Sequence, residues 1–222
     1  MEYKRKVIET ADGSKTLFIP EMDEQYHSIN GALTESDYVF LDKGYRHHPS
    51  ASPKIFEVGF GSGLNALLTA LEAERSKRLT HFTSIEKYPL TGEEIKILDY
   101  GSLLSDNGNE IFNQLHSAEW ETDIQISEYF TLHKTKGDLK SQAIKISDGY
   151  DIIYFDAFGP DKQPDMWETA ILSKIYDTCA DGAIFVTYSA KGEIRRRLES
   201  CGFKMERLPG PPGKRQMLRG IK

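Results

Sequence analysis

KIFEVGFGSGLN, residues 54–65, joins an apolar run to an amphipathic segment through a turn that contains three glycines. The run over 54–58 is short and apolar, as in a buried strand, and leucines at 64, 67, 68 and 71 lie on one face of a helix that we expect over 64–75. Glycines at 59, 61 and 63 let the backbone approach a ligand without an intervening Cβ. The spacing is GxGxG, whereas dinucleotide sites typically use GxGxxG. The stretch predicts a strand, a ligand-binding turn and a helix, with a tight turn lacking any ligand as the alternative.

Strands and helices alternate on the carboxyl side of this stretch, whereas residues 1–50 look irregular or hairpin-like, with turn signals at Asp12-Gly13 and Asn30-Gly31. Gly202 is expected to cap the last helix. The pattern predicts strands over 54–58, 81–85, 124–133, 150–155, 183–188, 203–208 and 216–221, and helices over 64–75, 93–100, 109–115, 166–178 and 193–200.

This alternation predicts an α/β fold with a mixed, mostly parallel sheet and helices on both faces. The last two strands are expected to form an antiparallel C-terminal hairpin, a combination that favours the Rossmann-like class I methyltransferase architecture over the nicotinamide-binding one. With 222 residues the chain fits one domain. Residues 1–50 are expected to be an extension packed on a core domain formed by 51–222.

Acidic residues follow the predicted strands at the sheet edge where ligands of such folds bind. Glu86 is placed to accept hydrogen bonds from both hydroxyls of a ribose, with a surface pair to Lys87 as the alternative. Asp138 is placed to accept from an adenine amino group. No basic cluster meets a pyrophosphate, which argues against NAD or ATP. Together these features predict an S-adenosylmethionine site, for which the candidate residues are Glu57, Gly59, Phe60, Gly61, Gly63, Asn65, Glu86, Lys87, Asp138 and Asp156.

Asp156 is the candidate catalytic residue because it follows the wholly apolar strand 150–155. That position puts its carboxylate at the carboxyl edge of the sheet, facing the bound methyl donor. A role as a helix N-cap or turn residue is the alternative.

The net charge of −6 conceals an uneven distribution. Residues 191–222 carry ten basic and three acidic residues, a balance of +7, while the rest of the chain has 18 basic and 31 acidic residues, a balance of −13. A basic segment on an acidic body suggests an anionic partner, with a solvated surface as the alternative. The sequence has neither a long apolar run nor a signal-peptide core, and the histidines and cysteines lack metal-site spacing. A cytoplasmic protein without a metal or a membrane span is expected.

Several segments resemble the tRNA 5-methylaminomethyl-2-thiouridine methyltransferases. They include FEVGFGSGLN at 56–65, IEKYPL at 85–90 and YSAKGEIRRRLESCGF at 188–203. DAFGPDKQPDMW at 156–167 and PGPPGKRQML at 209–218 are the more specific matches, and YHSINGALTESDYVFL at 26–41 resembles an N-terminal segment of the family.

The resemblance implies methylation of the 5-aminomethyl group on the wobble uridine of tRNA, and a stand-alone domain without the flavin-dependent oxidase that some relatives carry. Contacts to the anticodon stem-loop are expected from Phe158, Lys162, Trp167, Lys191, Arg195, Arg196, Arg197, Lys214 and Arg215. The two aromatic residues are candidates for stacking on the base, with a core position as the alternative. A small-molecule amine methyltransferase or an aminopropyltransferase is the nearest alternative enzyme; a cofactor-binding regulator and a Rossmann oxidoreductase fit less well.

Overall fold

An eight-stranded mixed sheet organises the protein in the computed structural model, which describes residues 3–142 and 149–222. Its strands are β4 (Lys54–Val58), β5 (Thr80–Glu86), β6 (Asp123–Ser127), β7 (Phe130–Lys136), β8 (Tyr150–Phe155), β9 (Cys179–Thr187), β10 (Lys204–Pro209) and β11 (Gln216–Ile221). In the sheet they lie in the order β10-β11-β9-β8-β4-β5-β7-β6. The helices are α1 (Ala32–Ser36), α2 (Leu64–Ser76), α3 (Gly92–Leu98), α4 (Gly108–Ser117), α5 (Thr169–Thr178) and α6 (Gly192–Cys201).

The central strands β9, β8, β4, β5 and β7 run parallel, and both faces of the sheet are covered. Side chains alternate between two cores, so that Ile152 and Tyr154 of β8 face α2 and α4, while Ile153 and Phe155 face α5 and α6. The hairpin of β10 and β11 pairs antiparallel with β9. The predicted α/β fold, with a mostly parallel sheet and a C-terminal hairpin, is confirmed.

The N-terminal fifty residues are more ordered than the sequence suggests. β1 (Lys6–Glu9), β2 (Lys15–Ile19) and β3 (Glu24–Gln25) form a small antiparallel sheet, in line with the predicted hairpin. The expectation of irregular structure is wrong beyond it, because α1 continues into a π-helical segment, Asp37–Tyr45. Val39, Phe40 and Tyr45 of that segment are buried against the sheet. Tertiary packing therefore stabilises a helix that the local sequence pattern does not predict.

Two further predicted elements are divided in the structure. The single strand expected over 124–133 is an antiparallel hairpin of β6 and β7, because Glu128 and Tyr129 turn the chain. The helix expected over 166–178 is a 3₁₀ turn (Pro164–Trp167) followed by α5, since Glu168 is extended between them. Gly202 ends α6 with φ 115°, as predicted. Among the described residues, no helix is both long and apolar enough to cross a membrane.

Candidate active site

A cavity of about 290 Å³ opens at the carboxyl ends of β4, β5, β7 and β8. Each of these strands supplies a loop to it. The glycine turn follows β4, Glu86 ends β5, Asp138 follows β7 and Asp156 follows β8. The parallel register therefore collects residues that are far apart in sequence at one edge of the sheet.

The glycine turn depends on backbone conformations that side chains disfavour. Gly59, Gly61 and Gly63 have φ values of 92°, 51° and 73°. A Cβ on Gly59 would lie 3.2 Å from the backbone oxygen of Asp156, and one on Gly61 would lie 3.3 Å from the Tyr26 ring. Gly59 and Gly61 line the cavity, so they bring main-chain atoms to its wall.

Glu86 ties the glycine turn to β5. Its carboxylate accepts hydrogen bonds from the backbone N–H of Gly61 at 2.9 Å and of Tyr88 at 2.6 Å. A carboxylate offers about four acceptor positions, so it retains capacity for the hydroxyls of a ligand. The residue lines the cavity and is part-buried. Glu86 thus acts first on the shape of the turn.

The lysines at the cavity rim are each engaged by neighbouring groups. Lys87 pairs with Asp138 at 2.9 Å, and this ion pair and the Lys140 N–H hold the pKa of Asp138 below its usual range despite its partial burial. Lys140 pairs with Asp165, and Lys162 donates to the Met22 carbonyl at 2.9 Å. The rim therefore presents little free positive charge to a pyrophosphate.

Asp156 lies recessed at the floor of the cavity. Its Oδ2 accepts a hydrogen bond from Asn65 Nδ2 at 2.8 Å. Burial raises the pKa of Asp156 to about 7, against the opposing hydrogen bond from Asn65. The group consequently titrates near neutral pH, the range in which an acid–base residue is most effective.

Comparison with known proteins identifies the family. The family model described as S-adenosyl-L-methionine-dependent methyltransferase matches residues 106–222, more than half of the chain. This chain belongs to that methyltransferase family.

The methyltransferase resembles proteins that are about three times as long as this chain. It is 31% identical over 219 residues to the tRNA 5-methylaminomethyl-2-thiouridine biosynthesis bifunctional protein MnmC of Paraburkholderia phymatum, covering 92% of this chain and 33% of that protein. The MnmC protein of Cupriavidus metallidurans is 31% identical, with 96% and 34% covered. The chain thus spans about a third of the length of these relatives.

Solved structures agree with the fold. The crystal structure of MNMC2 from Aquifex aeolicus superposes with a TM-score of 0.76 at 26% identity, covering 99% of this chain and 70% of that one. The spermidine synthase of Thermotoga maritima superposes with a TM-score of 0.59 at 11% identity, covering 99% and 69%, a likeness of fold alone.

The cavity of the methyltransferase fits its cofactor, S-adenosyl-L-methionine. Three features suit an adenosine without phosphates. The glycine turn leaves space that a Cβ on Gly59 would narrow, Glu86 has unused acceptor positions, and the rim lysines are already paired. The apolar walls suit an adenine ring and are formed by Val58, Phe60, Ile85, Leu139 and Met166.

Three predicted ligand contacts of the methyltransferase do not reach the cavity. Glu57 is 1% exposed beneath the glycine turn, where it faces Ser84. Gly63 immediately precedes α2 and packs against His116, and it is absent from the cavity wall. Trp167 is fully buried, donates to the Phe158 carbonyl and packs on Phe155, so it has no surface on which a base could stack. The remaining predicted residues Phe60, Asn65, Phe158 and Lys162 do line the cavity.

The predicted basic contacts separate into engaged and exposed side chains. Arg195 pairs with Glu199 at 2.6 Å, and Arg197 donates to the Trp167 carbonyl at 2.9 Å. Lys191 pairs with Asp161, and Lys214 pairs with the buried Glu35 while its ammonium lies 3.9 Å above the Tyr188 ring. Within the described residues, Arg196 and Arg215 are exposed and form no ion pair.

The N-terminal segment contributes cavity residues that the sequence reasoning missed. Tyr26 covers Gly61 and meets Phe158 edge-on at 5.3 Å, and Arg5 donates to the Tyr26 hydroxyl at 2.9 Å. The His27 ring hydrogen-bonds with the Ser62 hydroxyl at 2.6 Å, and burial lowers the pKa of His27 to about 4, which keeps it neutral. Tyr26 and His27 belong to the segment YHSIN, residues 26–30, which resembles the family. No local sequence pattern indicates that this segment packs against the glycine turn.

Proposed function

We propose that this methyltransferase transfers the methyl group of S-adenosylmethionine to the 5-aminomethyl group of a wobble uridine in tRNA. The product would be 5-methylaminomethyl-2-thiouridine. The names of the MnmC relatives support the substrate class, and the observation that carries the chemistry is Asp156, which lies at the cavity floor with its carboxyl oxygen fixed by Asn65. A tRNA substrate makes this a cytoplasmic enzyme.

The cavity supports the proposed cofactor contacts. Glu86 accepts the ribose hydroxyls with the acceptor positions that Gly61 and Tyr88 leave open. Asp138 accepts from the adenine amino group, fixed in place by Lys87. The bound cofactor supplies an electrophilic methyl group on a sulfonium.

Asp156 prepares the acceptor amine. Its carboxylate accepts an N–H of the amine, which orients the nitrogen lone pair toward the methyl group. As the N–C bond forms, positive charge appears on nitrogen, and the nearby carboxylate stabilises it. The product is a secondary ammonium, which is a weaker acid than a carboxyl group of pKa about 7, so it keeps its proton and its charge is offset by ionised Asp156.

The RNA contacts combine stacking and phosphate binding. Phe158 lies beside Asp156 on the cavity wall and offers a ring to an unstacked base. Arg196 and Arg207 both approach Gly192, so their exposed guanidinium groups share one surface patch, and Arg215 lies exposed in the terminal hairpin. These side chains contact the phosphates of the anticodon stem-loop.

Incubation with labelled methyl donor tests the proposal. The acceptors are tRNA that carries unmethylated 5-aminomethyl-2-thiouridine and the same tRNA without the aminomethyl group, followed by nucleoside analysis. Label in 5-methylaminomethyl-2-thiouridine from the first tRNA alone supports the proposal. Label in free polyamines or other small amines but in neither tRNA would favour a small-molecule amine transferase.

A further inference from the structure

Glu57 is an acid for which the proposed reaction has no use. It lies on β4 with 1% of its surface exposed, and it is separated from the cavity by the glycine turn. Ser84 on β5 donates its hydroxyl to Glu57 Oε2 at 2.6 Å. No lysine, arginine or histidine of the described residues forms an ion pair with it. A charge at this position would be buried without a counter-charge, which is strongly unfavourable.

Asn65 connects this acid to the active site. Its side chain lies within hydrogen-bonding reach of Glu57, and its Nδ2 donates to Asp156 Oδ2 at 2.8 Å. Its Oδ1 is buried and receives no hydrogen bond from any described group. Buried carbonyl oxygens are rarely left without a hydrogen-bond donor, so we expect a neighbouring group to donate to Asn65 Oδ1.

We propose that Glu57 is a neutral carboxylic acid in the working enzyme and that it positions Asn65, so that the two acids carry one negative charge, located on Asp156. The role given to Asp156 rests on the proposed function. A protonated Glu57 has an O–H to donate to Asn65 Oδ1 while still accepting from Ser84. Asn65 is then held with its Nδ2 toward Asp156.

The electrostatics of the site agree on where the proton resides. Burial, together with Asp156 and Glu86, raises the pKa of Glu57 well above its ordinary value, against the opposing hydrogen bonds of Ser84 and Asn65. Asp156 also faces Glu35, which raises its pKa, and Lys214, which lowers it. Two carboxyl groups that share one amide in a dry region cannot both ionise readily. Asp156 opens onto the cavity and ionises first, whereas Glu57 is sealed.

The substitution Glu57→Gln distinguishes whether Glu57 is neutral or ionised in the enzyme. The amide keeps a donor for Asn65 and an acceptor for Ser84, so single-turnover methyl transfer is expected within ~2-fold of the parent and the midpoint of its pH profile within ~0.3 pH unit. Glu57→Leu removes both hydrogen bonds and is expected to lower the rate ~10-fold or more. If Glu57 were ionised, its removal beside Asp156 would lower the midpoint by ~1 unit or more, which would overturn the proposal.

Glu72→Gln is the matched control. Glu72 is a buried acid on α2, the helix that carries Asn65, but its ion pairs are with Arg46 and Arg75. Its replacement is expected to lower the melting temperature and to leave the rate and the pH profile unchanged. A loss of rate in this variant equal to that of Glu57→Leu would mean that lost stability, not positioning, lowers the rate, and would overturn the proposal.

Carbon-13 NMR of glutamate side-chain carboxyls tests the protonation state without a methyl acceptor. One carboxyl resonance is expected to keep a protonated shift at pH 7, with and without S-adenosylhomocysteine, and to be missing in Glu57→Gln. Ionised shifts for every glutamate at pH 7 would overturn the proposal even if the variants fail to fold. Because this readout needs no RNA, a wrong tRNA substrate would leave it intact.

Discussion

Two regions each led to a functional prediction from sequence: the glycine-turn edge of the sheet predicted a cofactor site, and the C-terminal segment 191–222 predicted a surface for an anionic partner. The structure supports the grouping of residues in the first region more fully than in the second. At the edge, Gly59, Glu86 and Asp156 come together in one cavity as the sequence order of strands requires. In the C-terminal segment, much of the excess positive charge is already matched inside the protein. Strand order dictates where a ligand meets a parallel sheet, whereas a charge balance says nothing about which charges have partners.

Arg219 and Lys222 illustrate this second case. Arg219 pairs with Glu206 across the β10–β11 hairpin, and Lys222 donates to the carbonyls of Tyr176 and Cys179. Both contribute to the +7 balance of the segment, and both serve the packing of the C-terminus. The surface that remains for an anionic partner is narrower than the sequence count suggests.

Glu86→Ala should have the largest effect at the glycine-turn edge. It removes the proposed ribose contacts and leaves the N–H groups of Gly61 and Tyr88 without their acceptor, each such bond to a charged group contributing ~1.5–3 kcal/mol. Calorimetry should show S-adenosylhomocysteine binding ~100-fold more weakly. The control Glu93→Ala removes an exposed acid from α3 and should bind as the parent does. Parent-like affinity in Glu86→Ala would remove Glu86 from the cofactor site.

Gly59→Ala should weaken S-adenosylhomocysteine binding by ~10-fold, because the new Cβ meets the Asp156 backbone at 3.2 Å and displaces one side of the cavity. Gly182→Ala is the matched control. Gly182 also has a positive φ, but a Cβ there meets nothing within 4 Å. Both variants should lose some thermal stability from backbone strain, ~1–2 kcal/mol. Equal loss of affinity in the two would show that strain, and not the close approach, is responsible.

Lys214→Met tests whether a paired lysine of the C-terminal segment acts inside the protein or contacts the phosphates of tRNA. Lys214 lowers the pKa of Asp156, so its removal favours the neutral acid and should move the midpoint of the pH–rate profile upward from about 7. Glu35 loses its partner and stability should fall. The salt dependence of tRNA binding should stay the same. A shallower salt slope with an unchanged midpoint would instead make Lys214 a phosphate contact.

Replacing Arg196 and Arg207 together by alanine should give the smallest effect. Neither forms an ion pair with a described residue, so both are available to phosphates. The slope of log affinity against log salt should become shallower by up to ~1–2 units, with the pH profile unchanged. Arg195→Ala serves as the control, since that side chain already pairs with Glu199. An unaltered slope in the double variant would return this patch to ordinary solvated surface.

The sequence predicted the central strands well because their pattern is local. The bounds of β4 and β8 are those expected, and the helix after the glycine turn ends within a residue of its expected end. Glu57 and Trp167 were misplaced because an acid or an aromatic residue near a ligand turn has the same local pattern whether it faces the ligand or the core. The π-helical segment Asp37–Tyr45 and the covering position of Tyr26 depend on packing against distant strands, which no local pattern records.

The pH dependence of single-turnover methyl transfer to tRNA bearing 5-aminomethyl-2-thiouridine tests the central claim most directly, with the parent and Asp156→Asn compared at saturating S-adenosylmethionine. In the proposed mechanism ionised Asp156 is the active form, and its pKa is about 7, so the parent rate should rise through that pH to a plateau. Asp156→Asn should bind S-adenosylhomocysteine as the parent does, transfer methyl ~100-fold more slowly or worse, and lack that rise. A variant with the parent's rate and the parent's midpoint would contradict the assignment of Asp156 as the residue that prepares the amine.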